Sequence, residues 1–363
     1  MAYTDIDDSS AYFQTKIYSG TGSALSVTFD GNSNLQPDWI WFKNRGTSNS
    51  HGLQDVVRTF NAANVQSTNG TDASPAFSNL GYVSAANSNG FTVQPGNCAN
   101  SGSNNYVSWN WKAGGSPSTN TAGSINSSVS VNTTAGISIL TFTGSGSGAA
   151  ENVGHGLGVT PKLMIGKNLD SGHSVFGSWM VGGLGVTPTF NFSTNYINLN
   201  SGAGLSSDAG GTVWNATPTS TLVKFSNFFN TASNDYVMYC FAEKKGFSKF
   251  GTYTGNGNSD GAFLYTGFKP ALWIVKRTNA VNNWIMFDNK RSTSDGFNRN
   301  NVLLLPNLSQ GENTNDGVVD FVSSGIKIRD TKDEFNNSSG TYMYMAFAEN
   351  PFVTSTGIPT PAR

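Results

Sequence analysis

GTYMYMAFAENPF, residues 340–352, packs Tyr342, Met343, Tyr344, Met345 and Phe347 into one short run and stops at Glu349 and Pro351. Alone it fits an anchor, an active-site segment or a buried strand. Two relatives in the same chain decide among these. NDYVMYCFAEKKGF spans 234–247 and NNYVSWNWKAGG spans 104–115. Aligned on Tyr106, Tyr236 and Tyr342, they bring Trp111, Phe241 and Phe347 into register, and Glu243 with Glu349. Such self-similarity sets the architecture before any local reading.

Two further blocks recur upstream. QPDWIWFKNR (36–45), TPKLMIGKN (160–168) and KPALWIVKR (269–277) each carry a Pro six residues before a Lys: Pro37 and Lys43, Pro161 and Lys167, Pro270 and Lys276. IYSGTG (17–22), TFTGSG (141–146) and TYTGNG (252–257) open each copy. From Pro to marker Tyr the intervals are 69, 75 and 72 residues. Three diverged copies of one unit follow, at 11–115, 135–246 and 247–353. Residues 1–10 form an N-terminal arm and 354–363 an extended C-terminal tail. Residues 116–134, rich in Ser, Thr and Asn, read as a flexible polar linker.

In the Tyr block one face reads Val107, Trp109, Trp111; then Val237, Tyr239, Phe241; then Met343, Met345, Phe347. A spacing of two is the period of a pleated strand. The alternate face, Tyr342, Tyr344 and Ala346, is also largely apolar, which predicts a central strand covered on both sides. In the Pro block, Pro sits at the strand entrance, where its missing N–H matters least. GLQDVVRTFNAANV (52–65) is the nearest approach to a helical pattern, and a weak one. The expected class is all-β, with three tandem β-sandwich units of jelly-roll or lectin-like type.

Composition agrees. Of 363 residues 37% are hydrophobic and 42 are Gly, while charged residues make up 12%, about half the usual ~25%. The net charge of −1 gives no basic face for nucleic acid. The N-terminus lacks the apolar core of a signal peptide. No run approaches the ~18 apolar residues of a membrane helix. Cys98 and Cys240 lie far apart in unrelated contexts and read as buried free thiols.

Chemistry-bearing residues are few. LQDVVR carries Asp55 and Arg58, and MFDNKR carries Asp288 and Arg291; both aspartates stand 18 residues after their Pro. Unit two has FGSWMVGG there and lacks the pair, as a catalytic repeat would not, so structural ion pairs are expected. Glu243 and Glu349 could serve glycoside hydrolysis only if they met across a cleft; equivalent positions in separate copies argue otherwise. His51, His155 and His173 have no metal-ligand spacing. NGNSDG (256–261) mimics half a calcium loop, but Gly267 occupies the position of the closing Glu. Asp5 to Asp8 read as a solvated acidic terminus. No catalytic residue, metal or cofactor is expected. The eight tryptophans either pack as core or, where exposed beside Asn and Asp, hold sugar rings. Trp109, Trp111, Tyr239, Phe241, Met345 and Phe347 are the expected repeat core.

The segments AYFQTKIYSG, LQPDWIWFKNR and YVSWNWKAGG, with FSKFGTYTGNGNSDGAFLYTGFKPALWIVKR, NNWIMFDNKR and GTYMYMAFAENPF, resemble an uncharacterised domain common in structural proteins of marine tailed bacteriophages, including cyanophages and pelagiphages. The likeness covers most of 11–115 and 247–353. It implies a virion component, assembled in the host cytoplasm, with a β-rich lectin-like fold, and carries over no catalytic or binding residue. The expectation is a tail or head appendage touching host surface polysaccharide, bound to other virion proteins and self-associating, with a trimer the commonest state, without membrane insertion. A capsid decoration protein and a glycan-cleaving enzyme are the alternatives.

Overall fold

The computed structural model describes residues 3–360 except 75–79, 172–176, 188, 209, 293–297 and 315–316. It is all-β: every paired strand is antiparallel, and the described helices are one four-residue α-helix at Asp333–Asn336 and three 3-10 turns. The opening, Tyr, Pro and following strands form a sheet in that spatial order in each third of the chain. The order is Phe13–Ser19, Asn105–Trp111, Trp39–Asn44, Gly52–Asp55 in the first. It recurs as Ile137–Thr143, Asp235–Phe241, Leu163–Asn168, Met180–Gly182. It recurs again as Ser248–Thr254, Thr341–Pro351, Phe268–Arg277, Ile285–Asp288. A second sheet of shorter strands accompanies each, built in the first unit from Leu25–Thr28, Gly90–Val93 and Val83–Asn87.

The Tyr strands are buried from their second residue through Trp111, Phe241 and Ala348. In unit one the two faces serve different cores. Ile40 and Phe42 face Val27, Val83, Phe91 and Val93 of the small sheet, closing a sandwich. Trp39, Trp41, Trp109 and Trp111 point the other way, into a core shared with the other units. There Trp39 stacks on Tyr239 at 4.7 Å, and Phe347 meets both Trp111 and Phe241, at 5.5 and 6.1 Å. Each marker Tyr also does one job three times. Its hydroxyl accepts the backbone N–H five residues upstream: Ser101 to Tyr106 at 2.7 Å, Thr231 to Tyr236 at 2.9 Å, Asn337 to Tyr342 at 2.7 Å. Its ring stacks on the opening strand's Tyr18, Phe142 or Tyr253 at 5.3, 5.2 and 4.9 Å. The turn after the opening strand needs φ near +70° at Gly22, Gly146 and Gly257, where a side chain would be strained.

Four local expectations change. Residues 116–134 are not a loose linker: Ser118–Asn120 and Ser127–Asn132 extend the second unit's sheet, which reaches eight strands. Val129 is buried and Val131 half-buried, while Ser127 and Ser130, on opposite faces of the strand, are buried too, so small hydroxyl residues occupy close-packed positions on both faces. The segment 52–65 is a strand followed by a 3-10 turn at Ala62–Asn64. Pro270 lies inside its strand, at a register shift on both sides, where a bulge tolerates the missing N–H. The C-terminal segment turns back on itself: Thr354 N–H donates to Ile358 O at 2.9 Å and Val353 bridges Pro359.

Candidate functional site

Equivalent residues of the three units meet at three junctions and close the chain into a ring. Leu169 O of unit two accepts Ser74 N–H of unit one at 2.8 Å. Thr278 O of unit three accepts Leu205 N–H of unit two, and Arg45 O of unit one accepts Glu312 N–H of unit three, both at 2.7 Å. A second bond accompanies each. Trp179 Nε1 donates to Ser67 O and Trp284 Nε1 to Asn198 O, both at 2.8 Å, while His51 Nε2 sits 3.1 Å from Leu305 O. Unit two thus leans on one, three on two, and one on three.

The aspartate–arginine pairs stand in two of these junctions. Asp55 Oδ1 accepts the N–H groups of Val57 and Arg58 at 3.1 and 3.0 Å; Asp288 Oδ1 accepts those of Lys290 and Arg291, both at 3.0 Å. Each remaining carboxylate oxygen takes its own arginine and one donor from the neighbouring unit. Arg58 lies 2.6 Å from Asp55 Oδ2, to which Tyr239 OH donates at 2.8 Å. Arg291 Nε donates to Asp288 Oδ2 at 2.5 Å, and Trp109 Nε1 to the same oxygen at 3.0 Å. Arg291 also lies over the Trp109 ring, 5.6 Å from its centroid. Both pairs are buried, and charge-assisted bonds in such surroundings are strong when fully partnered. They hold units together; Arg58 reaches the lining of a groove, but its partner Asp55 does not.

The other expected residues are dispersed. Trp111, Phe241, Met345 and Phe347 are core, as are Trp109 and Tyr239, whose polar tips make the bonds just described. All eight tryptophans are buried, so none offers a sugar-stacking face. Glu243 pairs with Lys249 at 2.7 Å and Glu349 with Lys269 at 2.9 Å, each on its own strand end. His51 and His155 are buried, and burial holds both below the ordinary imidazole range; His173 lies outside the described residues. Cys98 and Cys240 are free and buried, the Cys98 thiol pushed up to about 12 by burial. NGNSDG is a chain of Asx turns with Asp260 held by Lys327 at 2.7 Å. The acidic terminus is tied down rather than merely solvated: Asp8 caps the first 3-10 turn and Asp7 takes Ser355 N–H at 2.6 Å. Among the described residues no group of three His, Cys, Asp or Glu could hold a metal ion.

Sequence reasoning missed two features. The first is the lysine of each Pro strand. Lys43, Lys167 and Lys276 are fully buried and bonded to backbone carbonyls: Lys43 to Asn44 O (2.7 Å) and Thr47 O; Lys167 to Gly177 O and Thr71 O; Lys276 to Gly202 O, Arg277 O and Asn282 O (2.7 Å). Burial of the charged form lowers them to about 8, 7 and 8. The six-residue Pro-to-Lys interval was the signal, read only as a repeat marker. The second is a pair of grooves. One, of about 660 Å³, lies between units one and two; the other, of about 680 Å³, lies between units two and three.

The fold and these junctions define an all-β protein of several antiparallel sheets whose charged pairs serve unit packing. The chain belongs to the family described as domain of unknown function (DUF7483), which matches residues 8–351 in one continuous span. No curated protein and no solved structure matches it.

Proposed function

We propose that the chain is a non-enzymatic structural protein of a bacteriophage particle surface, an appendage component that contacts host glycans. The phage assignment comes from the resemblance of its repeated segments to tailed-phage virion proteins. One observation in the fold supports a structural and binding role. The acidic and basic residues that the sequence singled out, Asp55, Arg58, Asp288, Arg291, Glu243 and Glu349, sit in ion pairs. What the surface offers instead are two grooves rich in hydroxyl and amide groups, the first also lined by Asp170 and Asp235. The reading includes contacts with other virion proteins. A ring that closes three junctions within one chain can stand where three separate chains stand in a trimeric appendage, and light scattering on the purified chain separates monomer from trimer.

Antibody labelling of particles in the electron microscope, with quantitative mass spectrometry, tests the reading. Signal at the tail or at a head fibre, in few copies, supports it. Hundreds of copies over the capsid lattice point to a decoration protein, and absence from particles removes the virion assignment. Purified chain should also compete with phage adsorption; undiminished adsorption at saturating dose removes the host-contact role. Loss of host polysaccharide on incubation would replace the reading with that of an enzyme.

A further inference from the structure

We propose that the two grooves are equivalent binding sites for a neutral saccharide. This rests on the host-contact reading above and gives it a place and a ligand class.

The grooves correspond over most of the second one's lining; the first is also walled by Thr119, Asn126, Ser127 and Ser128, which have no counterpart in the second. One wall is the opening strand, Thr141–Thr143 in the first groove and Thr252–Thr254 in the second. The facing wall is the loop at Val57 and Arg58, or at Val186 and Thr187, of the preceding unit. These loops are matched by one backbone bond, Val56 N–H to Asp38 O at 2.8 Å and Gly185 N–H to Lys162 O at 2.9 Å. The strand-end positions are Asp170 and Asp235 in the first groove, Asn279 and Thr341 in the second. Both volumes fall within the ~300–1,000 Å³ of ligand pockets. At the third junction the position of Leu169 and Thr278 is Arg45, whose guanidinium engages Glu312 at 2.6 Å.

The lining selects the ligand. Hydroxyls of Thr141, Thr143, Thr252 and Thr254 both donate and accept, and can match the alternating hydroxyls of a sugar ring. Phe142 and Tyr253 point to the opposite face of their strands and stack on Tyr236 and Tyr342, which fixes the threonines in place. Asp235 accepts from Thr143 Oγ1 at 2.6 Å, which leaves most of its ~four acceptor positions open. Arg58 does not attract an anion, because Asp55 neutralises it at 2.6 Å; its Nη1 is a buried donor without a partner among the described residues. Two carboxylates in the first groove repel acidic sugars. They also make charge-assisted bonds to hydroxyls, roughly twice as strong as neutral ones, so the first groove is the tighter site.

Titration of the full chain with cellobiose, maltose, lactose and N,N′-diacetylchitobiose, with digalacturonate as the acidic control, tests this by calorimetry and saturation-transfer NMR. At least one neutral disaccharide should bind at two sites per chain, and digalacturonate should bind more weakly. Thr141→Trp should remove the tighter site, Thr252→Trp the weaker, and the double variant both. Amide shift changes in the unaltered chain, which do not depend on any variant folding, should centre on 141–143 and 252–254. Binding by none of the neutral sugars, shifts centred elsewhere, survival of binding in the folded double variant, or preference for digalacturonate overturns the proposal. Loss of saccharide binding in a chain that still labels particles and blocks adsorption overturns this inference and leaves the proposed function standing.

Discussion

The junction of unit three on unit two differs from the other two in the kind of contact it uses. Where one leans on three, Asp288 and Arg291 meet Trp109; where two leans on one, Asp55 and Arg58 meet Tyr239. In the three-on-two junction the loop VGGLGV, 181–186, carries no carboxylate, Thr187 replaces the arginine, and Met345 replaces the Trp or Tyr donor. All three members have changed together. A carboxylate without its arginine, or a buried donor without its acceptor, would leave a desolvated polar group unpaired, which costs more than the complete set contributes. Met345, buried in the shared apolar core, brings no polar group that needs a partner. The polar junctions are therefore units of three residues, retained or lost whole.

The largest effect should come from breaking one set in part. Arg291→Met leaves Asp288 buried with its charge uncompensated and should lower unfolding free energy by about 3–5 kcal/mol, read from urea denaturation. Arg58→Met should behave similarly; a loss below 1 kcal/mol in both would refute the account of the polar junctions. The two-on-one junction should also respond to pH, and so should the apolar one. Lys276 bonds Gly202 O across it at 3.0 Å, with its pKa lowered from 10.5 to about 8 by burial. Lys167, at about 7, reaches Thr71 O across the two-on-one junction. Between the folded and unfolded values the unfolded chain binds more protons, so stability rises with pH through that window. The slope is at most about 1.4 kcal/mol per pH unit for each lysine. The rise should end near pH 10, where unfolded tyrosines ionise and buried ones such as Tyr239 and Tyr253, raised by burial, resist. Urea midpoints at pH 7, 8 and 9 should climb, and Lys276→Met should flatten the climb above pH 8; an unchanged slope would show the lysine to be solvated.

Much of the single unit was legible in the sequence, and little of the ring. The strands at 105–111, 235–241 and 341–351 declare themselves by period two and by apolar residues on both faces, a local property. The ring contacts join residues far apart, such as Trp109 to Asp288 and Tyr239 to Asp55, and nothing local relates them. The missing pair in unit two was visible, but its meaning required Met345 opposite. The stretch 116–134 was misread because Ser and Asn suggest a loop by composition, whereas Val129 and Val131 alternate as a strand. The grooves escaped notice because Thr, Ser and Asn carry no distinctive chemistry; the recurring TFT and TYT triplets were the available signal.

Within a unit the three copies should respond alike, in contrast to the junctions. Tyr106→Phe, Tyr236→Phe and Tyr342→Phe each remove the acceptor for a backbone N–H five residues upstream. Each should cost about 1–3 kcal/mol, the range for a buried donor left unpaired, and the three values should agree within about 1 kcal/mol. A wide spread would mean that the shared strand order hides different supports.

The smallest expected effect is the most discriminating. Converting the two-on-one junction to the apolar kind, with Asp55→Leu, Arg58→Thr and Tyr239→Met together, removes both charges and the donor. The losses are the acceptor of the Val57 and residue-58 N–H groups, at a half-buried turn where water can take its place, and the stacking of Tyr239 on Trp39, at 4.7 Å, worth about 1 kcal/mol. The triple variant should therefore be more stable than Arg58→Met alone, although it carries two further buried substitutions. Such non-additivity is the signature of residues that share one network. If the triple variant instead loses the sum of its single changes, the three residues act independently, and their joint absence from the three-on-two junction has no energetic meaning.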